Sequence, residues 1–188
     1  MVCHIFRSKL VATPEPTGII EKMCSEDGIF SDWTIVSEDG QRFPCHRLVL
    51  AAKSSIMKAM MTTEMQEKES KETSLKYNNK VVGAFVGYFY KGEVSPDVMG
   101  SNISSFLELS VLYNLDQLKA QVEDSAIQNM TMENVVEMFS LANIYNAGTL
   151  KEATEIFILE NKKILGEQDF SQVPQDVMTE LFKLVTRS

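Results

Sequence analysis

The chain has 188 residues, with 26 acidic and 18 basic side chains, a formal net charge of -8 and 44% hydrophobic residues. That is the balance of a folding globular protein, and its negative field repels phosphate backbones and anionic lipid, which argues against a nucleic-acid or membrane partner. No apolar run reaches the ~18 to 20 residues of a membrane-spanning helix, and three cysteines without a C-x-x-C pair make no disulfide framework, so a cytoplasmic or nuclear setting is expected.

Residues 1–16 carry Pro14 and Pro16 in an aperiodic setting and read as a flexible leader. Between Thr17 and Asp27 the residues Ile19, Ile20, Met23 and Cys24 recur at three- and four-residue steps, which predicts a short apolar-striped helix ended by Gly28. Trp33 to Val36 and a second run through Phe43, separated by Glu38-Asp39-Gly40, predict a β-hairpin. The acidic Ser37 to Gly40 segment could suggest calcium, but it sits where a turn is expected and does not extend into a full ligand loop.

From His46 to Met65 the periodicity turns helical, with Leu50, Ser54, Met57 and Met61 on one side and a break near Lys53-Ser54-Ser55. The methionines of this stretch read as core rather than as an adaptable groove, with Met65 the exception because it leads into the charged loop. A charged loop follows from Glu64 to Glu72, then a third strand over Thr73 to Tyr77, then a strongly apolar helix over Val81 to Tyr90 that stops at Gly92. The remainder reads as consecutive helices. Asp116 opens one, Thr131 the next with Glu133 in its first turn, Thr149 and Glu152 form a capping box, and Pro174 begins a last helix. The pattern is α+β, with a small sheet first and a helical second half.

Chemistry finds few candidates. The chain has no GxxxxGK, HExxH or GxSxG motif and only two histidines, His4 and His46. A thiolate pair of Cys45 with His4, or Cys24 with His46, is the sharpest catalytic option, and nothing in the sequence supplies a third, orienting group. No cofactor or metal is expected, and the chain is read as non-catalytic.

The segments SDWTIVSEDGQRFPCHRLVLAAKSS, TEMQEKESKE and VVGAFVGYFYKGEV resemble the BTB/POZ domain in order and spacing. The matching positions are Ser31-Asp32, Phe43-x-x-His46-Arg47, Leu50-Ala51-Ala52-x-Ser54 and Tyr90-x-Gly92. The likeness continues through Tyr113-x-Leu115-x-x-Leu118-Lys119 to Leu141-Ala142-x-x-Tyr145-x-Ala147, similar to the helical extension of cullin-3 adaptors and nearest to the speckle-type POZ group. It implies a leader over 1–16, a BTB/POZ fold over 17–128 and a partial BACK-like helical extension over 129–188.

The resemblance also implies roles. Ile19, Ile20, Met23 and Val49 fall where such domains bury apolar side chains across a dimer axis. Met65-Gln66-Glu67 matches the hydrophobic-x-Glu motif of cullin-3 adaptors, with Met65 as anchor and Glu67 as polar register, and Tyr113 is a weaker candidate for the same face. Asp32 and Arg47 match a structural charged pair. The expected function is a homodimeric adaptor joining a client protein of unknown identity to a cullin-3 type ubiquitin ligase. The alternative is a dimerisation scaffold for transcriptional or cytoskeletal assemblies that binds no cullin.

Overall fold

The computed structural model describes residues 30–62, 70–161 and 174–186, apart from the side chains of Asp176 and Val185. The leader and the helix expected over residues 17–27 lie outside the described residues, as does most of the charged loop.

Strands β1 (Trp33–Val36) and β2 (Arg42–Cys45) pair antiparallel, with Trp33 opposite Cys45 and Val36 opposite Arg42. Trp33 and Ile35 alternate inward along β1, as a strand with one buried face requires. Gly40 closes the connecting loop at a φ of 81°, a left-handed conformation that glycine adopts without a Cβ penalty. The Ser37 to Gly40 segment is therefore the turn its composition suggests. The third strand, β3 (Glu72–Ser74), is shorter and earlier than expected and lies parallel to β1, giving the sheet order β2-β1-β3. The Trp33 indole N–H donates to Thr73 Oγ1 at 3.0 Å, joining the two strands by their side chains.

Helices α1 (Arg47–Lys53) and α2 (Ser55–Thr62) are broken at Ser54, as the sequence predicts. Leu50, Ser54, Met57 and Met61 are all buried, so the predicted stripe is the core face and the methionines fill core space. Helix α3 (Asn79–Lys91) is capped by the Asn78 side chain, which accepts from the Val81 N–H, and ends on Gly92 at a φ of 81°. Val81, Val82, Phe85, Val86, Tyr88, Phe89 and Tyr90 are buried almost around its circumference, which makes it the central element of the core.

After the short α4 (Pro96–Gly100), two helical hairpins follow: α5 (Ile103–Leu112) with α6 (Asp116–Gln128), and α7 (Val135–Ile144) with α8 (Gly148–Glu160). They are two copies of one design. Tyr113-Asn114-Leu115 and Tyr145-Asn146-Ala147 make the corners, and Leu118-Lys119 and Leu150-Lys151 follow at the same spacing. Asn114 and Asn146 have φ of 53° and 50°, and the next residue in each donates its N–H five residues back, Leu115 to Ser110 and Ala147 to Ala142, both at 2.8 Å. This is the Schellman arrangement with asparagine in place of glycine.

The ends of the last helices differ from the sequence reading. Helix α7 begins at Val135 rather than Thr131, because Asn134 Oδ1 accepts from the Thr131 N–H and holds residues 131–134 as a turn. The capping box of Thr149 and Glu152 does not form: α8 starts at Gly148, and Thr149 is already inside its first turn. Its orphan donor is satisfied from elsewhere, since buried Glu123 on α6 accepts from the Leu150 N–H at 2.9 Å. Helix α9 (Gln175–Thr186) follows Pro174, whose carbonyl accepts from the Met178 N–H.

The main hydrophobic cluster runs from Trp33 to Leu150, so the helices after residue 129 share a core with the sheet. A second cluster, Val135, Val136, Phe139, Ile158, Val177 and Leu181, joins α7, α8 and α9. Among the described residues, no helix is long and apolar enough to cross a membrane.

Candidate functional site

Among the described residues, exposed apolar side chains stand at two joints of the fold, besides others such as Phe182. The first surrounds the start of α1. Asp32 Oδ1 accepts from the Arg47 backbone N–H at 2.8 Å, and the Asp32 N–H donates to the Cys45 carbonyl at 3.2 Å. These bonds pin the segment before β1 against the first turn of α1. The Arg47 guanidinium donates to the Met61 carbonyl at 2.6 Å and lies over the Trp33 ring. Asp32 and Arg47 are therefore partners, but by a carboxylate on a backbone amide; the guanidinium ties α1 to α2 instead of to the carboxylate.

On either side of this joint stand Phe30, 90% exposed, and Leu48, 82% exposed. Val49, the residue expected at the dimer axis, is half-buried and packs on the main core. Three consecutive apolar residues, Leu48, Val49 and Leu50, span about 200° of a helix at 100° per residue, so one face of core cannot cover them all. Leu50 lies on the predicted stripe and Leu48 is the residue left outside it. That was the available signal for Leu48. Ile19, Ile20 and Met23 lie outside the described residues.

The second surface lies where α2 meets the corner of the first hairpin. Ser54 Oγ donates to the Tyr113 carbonyl at 2.7 Å, and Asn114 Nδ2 donates to Ser55 Oγ at 3.2 Å, which fixes the start of α2 beside the end of α5. Ile56 on α2 and Leu112 on α5 are exposed here. Ile144 is exposed at the position of the second hairpin that corresponds to Leu112, each at 54%. Lys119 Nζ, donating to the carbonyls of Tyr145 and Asn146, holds that second corner against the first hairpin. Leu112 and Ile144 escaped the sequence reading because their equivalence shows only once the two corners are aligned.

Tyr113, the weaker candidate for the cullin face, is 4% exposed and lies against the Phe85 ring at 5.4 Å, within the main core. Met65 and Glu67 lie outside the described residues, in the segment that leaves α2.

Little in the described residues favours nucleophilic chemistry. Burial pushes the Cys45 thiol up to about 12, and its Sγ–H donates to the Trp33 carbonyl, the opposite of an activated thiolate. His46 meets the Tyr90 hydroxyl, and Cys24 and His4, the other members of the two thiolate pairs, lie outside the described residues. Among the described residues, no cluster of three or more His, Cys, Asp or Glu could hold a metal ion.

The fold is thus a three-stranded sheet, a central apolar helix and helical hairpins, with exposed aliphatic side chains at two joints. Residues 22–130 match the BTB/POZ domain family, more than half of the chain, and the chain belongs to that family. Kelch-like protein 23 of Mus musculus is 29% identical over 149 residues, which cover 78% of this chain and 26% of that protein. Kelch repeat and BTB domain-containing protein 3 of Homo sapiens is 27% identical over 141 residues, covering 74% of this chain and 22% of that protein. TD and POZ domain-containing protein 5 of Mus musculus is 27% identical over 143 residues, 76% of this chain and 42% of that protein. The chain thus spans between about a fifth and two fifths of the length of these relatives. Kelch-type proteins match at least as well as the POZ protein of the third comparison, so the relatives do not single out the speckle-type group. The family match ends at residue 130, and the helices beyond it are described by their own packing.

Proposed function

We propose that this chain is a homodimeric adaptor, working in the cytoplasm or nucleus, that brings a client protein to a cullin-3 type ubiquitin-ligase scaffold and performs no chemistry itself. The observation that carries the reading is the separation of its two apolar surfaces. Phe30 and Leu48 offer one for self-association, while Ile56, Leu112 and Ile144 offer another for a scaffold. A single exposed patch could serve a dimer or a scaffold; two patches on different joints allow both at once. The roles of Met65 and Glu67 rest on the resemblance of Met65-Gln66-Glu67 to the motif of cullin-3 adaptors, and the helices after residue 130 would serve as the BACK-like extension.

The test is calorimetric binding to the cullin-3 amino-terminal domain, with light scattering for mass. One scaffold per protomer of a dimer is expected, with affinity lost in Met65→Ala and Glu67→Ala and reduced at least tenfold in Leu112→Asp, the loss of one well-placed apolar contact. A folded dimer that binds no cullin would replace this reading with the dimerisation scaffold, which uses the Leu48 surface alone.

A further inference from the structure

Helix α2 is 8 residues long, too short to hold its own ends without tertiary support. Ser54 and Asn114 fix its start. Its last turn holds Met61, whose carbonyl is among those a helix cannot pair internally. The Arg47 guanidinium on α1 donates to that carbonyl at 2.6 Å. The same guanidinium lies 5.7 Å from the centroid of the Trp33 ring, while the Arg47 backbone N–H donates to Asp32 Oδ1 at 2.8 Å. Half-buried Arg47 thus ties the segment before β1 and the first turn of α1 to the end of α2. Its neighbour in the chain, Leu48, is exposed in the first apolar surface, and α2 carries Ile56, exposed in the second.

We propose that Arg47 is a positioning residue that couples the two surfaces, so that self-association through Leu48 strengthens scaffold binding at Ile56. The coupling works through two states of one element: an α2 end docked on Arg47, and a frayed end with the guanidinium in water. The two lie close in free energy, because water takes over both the guanidinium and the carbonyl once the turn opens. A partner protomer that covers Phe30 and Leu48 holds the first turn of α1 and closes that route to water, which favours the docked state. The docked state presents Ile56 on an ordered helix, so less of the scaffold's binding energy goes into ordering it. By linkage, scaffold binding tightens the dimer by the same factor. Lysine in place of Arg47 keeps the charge but loses the planar fork that stacks on Trp33 while reaching Met61. The inference rests on the adaptor reading above.

The experiment measures, by calorimetry, binding of the cullin-3 amino-terminal domain to the full-chain dimer and to the Leu48→Asp monomer. Dimer dissociation is followed by sedimentation with and without saturating cullin domain, and amide exchange at Met61 and Thr62 is compared between dimer and monomer. The dimer is expected to bind the cullin domain about fivefold more tightly, the same factor is expected on dimerisation, and both amides are expected to exchange faster in the monomer. Arg47→Lys and Arg47→Met, checked for folding by circular dichroism, are expected to bring the factor to about one. Equal affinity in dimer and monomer, a factor that persists in both Arg47 variants, or exchange that ignores the Leu48 surface overturns the coupling and leaves the adaptor reading standing. A dimer that binds no cullin domain overturns the adaptor reading, and the exchange comparison then decides whether Leu48 and the end of α2 are coupled. A chain that is monomeric at every concentration overturns both.

Discussion

Ser54 and Tyr113 are joined by one hydroxyl that serves two helices: Ser54 Oγ donates to the Tyr113 carbonyl at 2.7 Å and accepts from the Met57 N–H at 3.1 Å. The first bond satisfies a carbonyl at the end of α5, and the second caps the start of α2. Lys119 does the corresponding work at the second corner, where Nζ meets the Tyr145 carbonyl at 3.0 Å. Each hairpin corner is thus held by a side chain from an earlier segment of the chain, Ser54 at the start of α2 and Lys119 on α6.

Replacing Ser54 with alanine should cost about 2 to 3 kcal/mol, because a buried carbonyl and a helix N–H both lose their partner. Urea denaturation measures it. A change under about 0.5 kcal/mol, the ordinary scale of a surface substitution, would show that the joint contributes nothing.

The two asparagine corners should respond alike. Asn146→Ala places a β-carbon in the left-handed region and should destabilise by about 1 kcal/mol, while Asn146→Gly should be neutral within a few tenths. Asn114→Ala should cost somewhat more, since its amide also donates to Ser55. Paired thermal melts of the four single variants, Ala and Gly at each site, test this ranking.

Glu123→Ala should cost about 1 to 3 kcal/mol by leaving the Leu150 N–H buried without its acceptor. Glu123→Gln keeps an oxygen acceptor and should lose less. Hydrogen exchange resolves where the loss falls: the first turn of α8 should open before α6 does. Equal opening of both helices would show that Glu123 supports α6 alone.

Alkaline stability follows from Cys45. Burial raises its thiol from 9.0 to about 12, so the folded protein holds a proton that the unfolded chain releases above about pH 9. The stabilisation is complete below 9.0 and is lost as pH climbs from there toward about 12. Tyr77 adds to the same trend: burial, followed by its hydrogen bond to Glu108, pushes its phenol upward. Stability measured across pH 8 to about 11 should fall more steeply in the wild type than in Cys45→Ala. Matching slopes would remove Cys45 from the account.

Leu48→Asp should abolish self-association while leaving the unfolding of the protomer within about 0.5 kcal/mol, since the side chain touches solvent and not core. Sedimentation at several concentrations, with denaturation of the same variant, separates the two effects. A dimer that survives the charge would place the axis elsewhere.

Much of the fold was legible in the chain. The hairpin around Gly40, the break at Ser54 and the stop at Gly92 are local events, decided by a few neighbouring residues with strong backbone preferences. The stripe of Leu50, Ser54, Met57 and Met61 was readable for the same reason, because helical spacing alone tells which residues share a face. The BTB/POZ family, too, was visible in motif spacing before any packing was known.

The tertiary structure decided what covers each face and what answers each exposed backbone group. Leu48, Val49 and Leu50 are alike in composition, and only the packing of α1 on the core sends the first to solvent and the last inside. Thr149 and Glu152 have the letters of a capping box, yet Glu123, far away in the chain, reaches the α8 amide first and fills that role. Tyr113 has a side chain suited to a surface, and the ring of Phe85 takes it into the core. Local sequence sets the period and the caps a segment can form; partners brought together from distant segments determine which of those options is used.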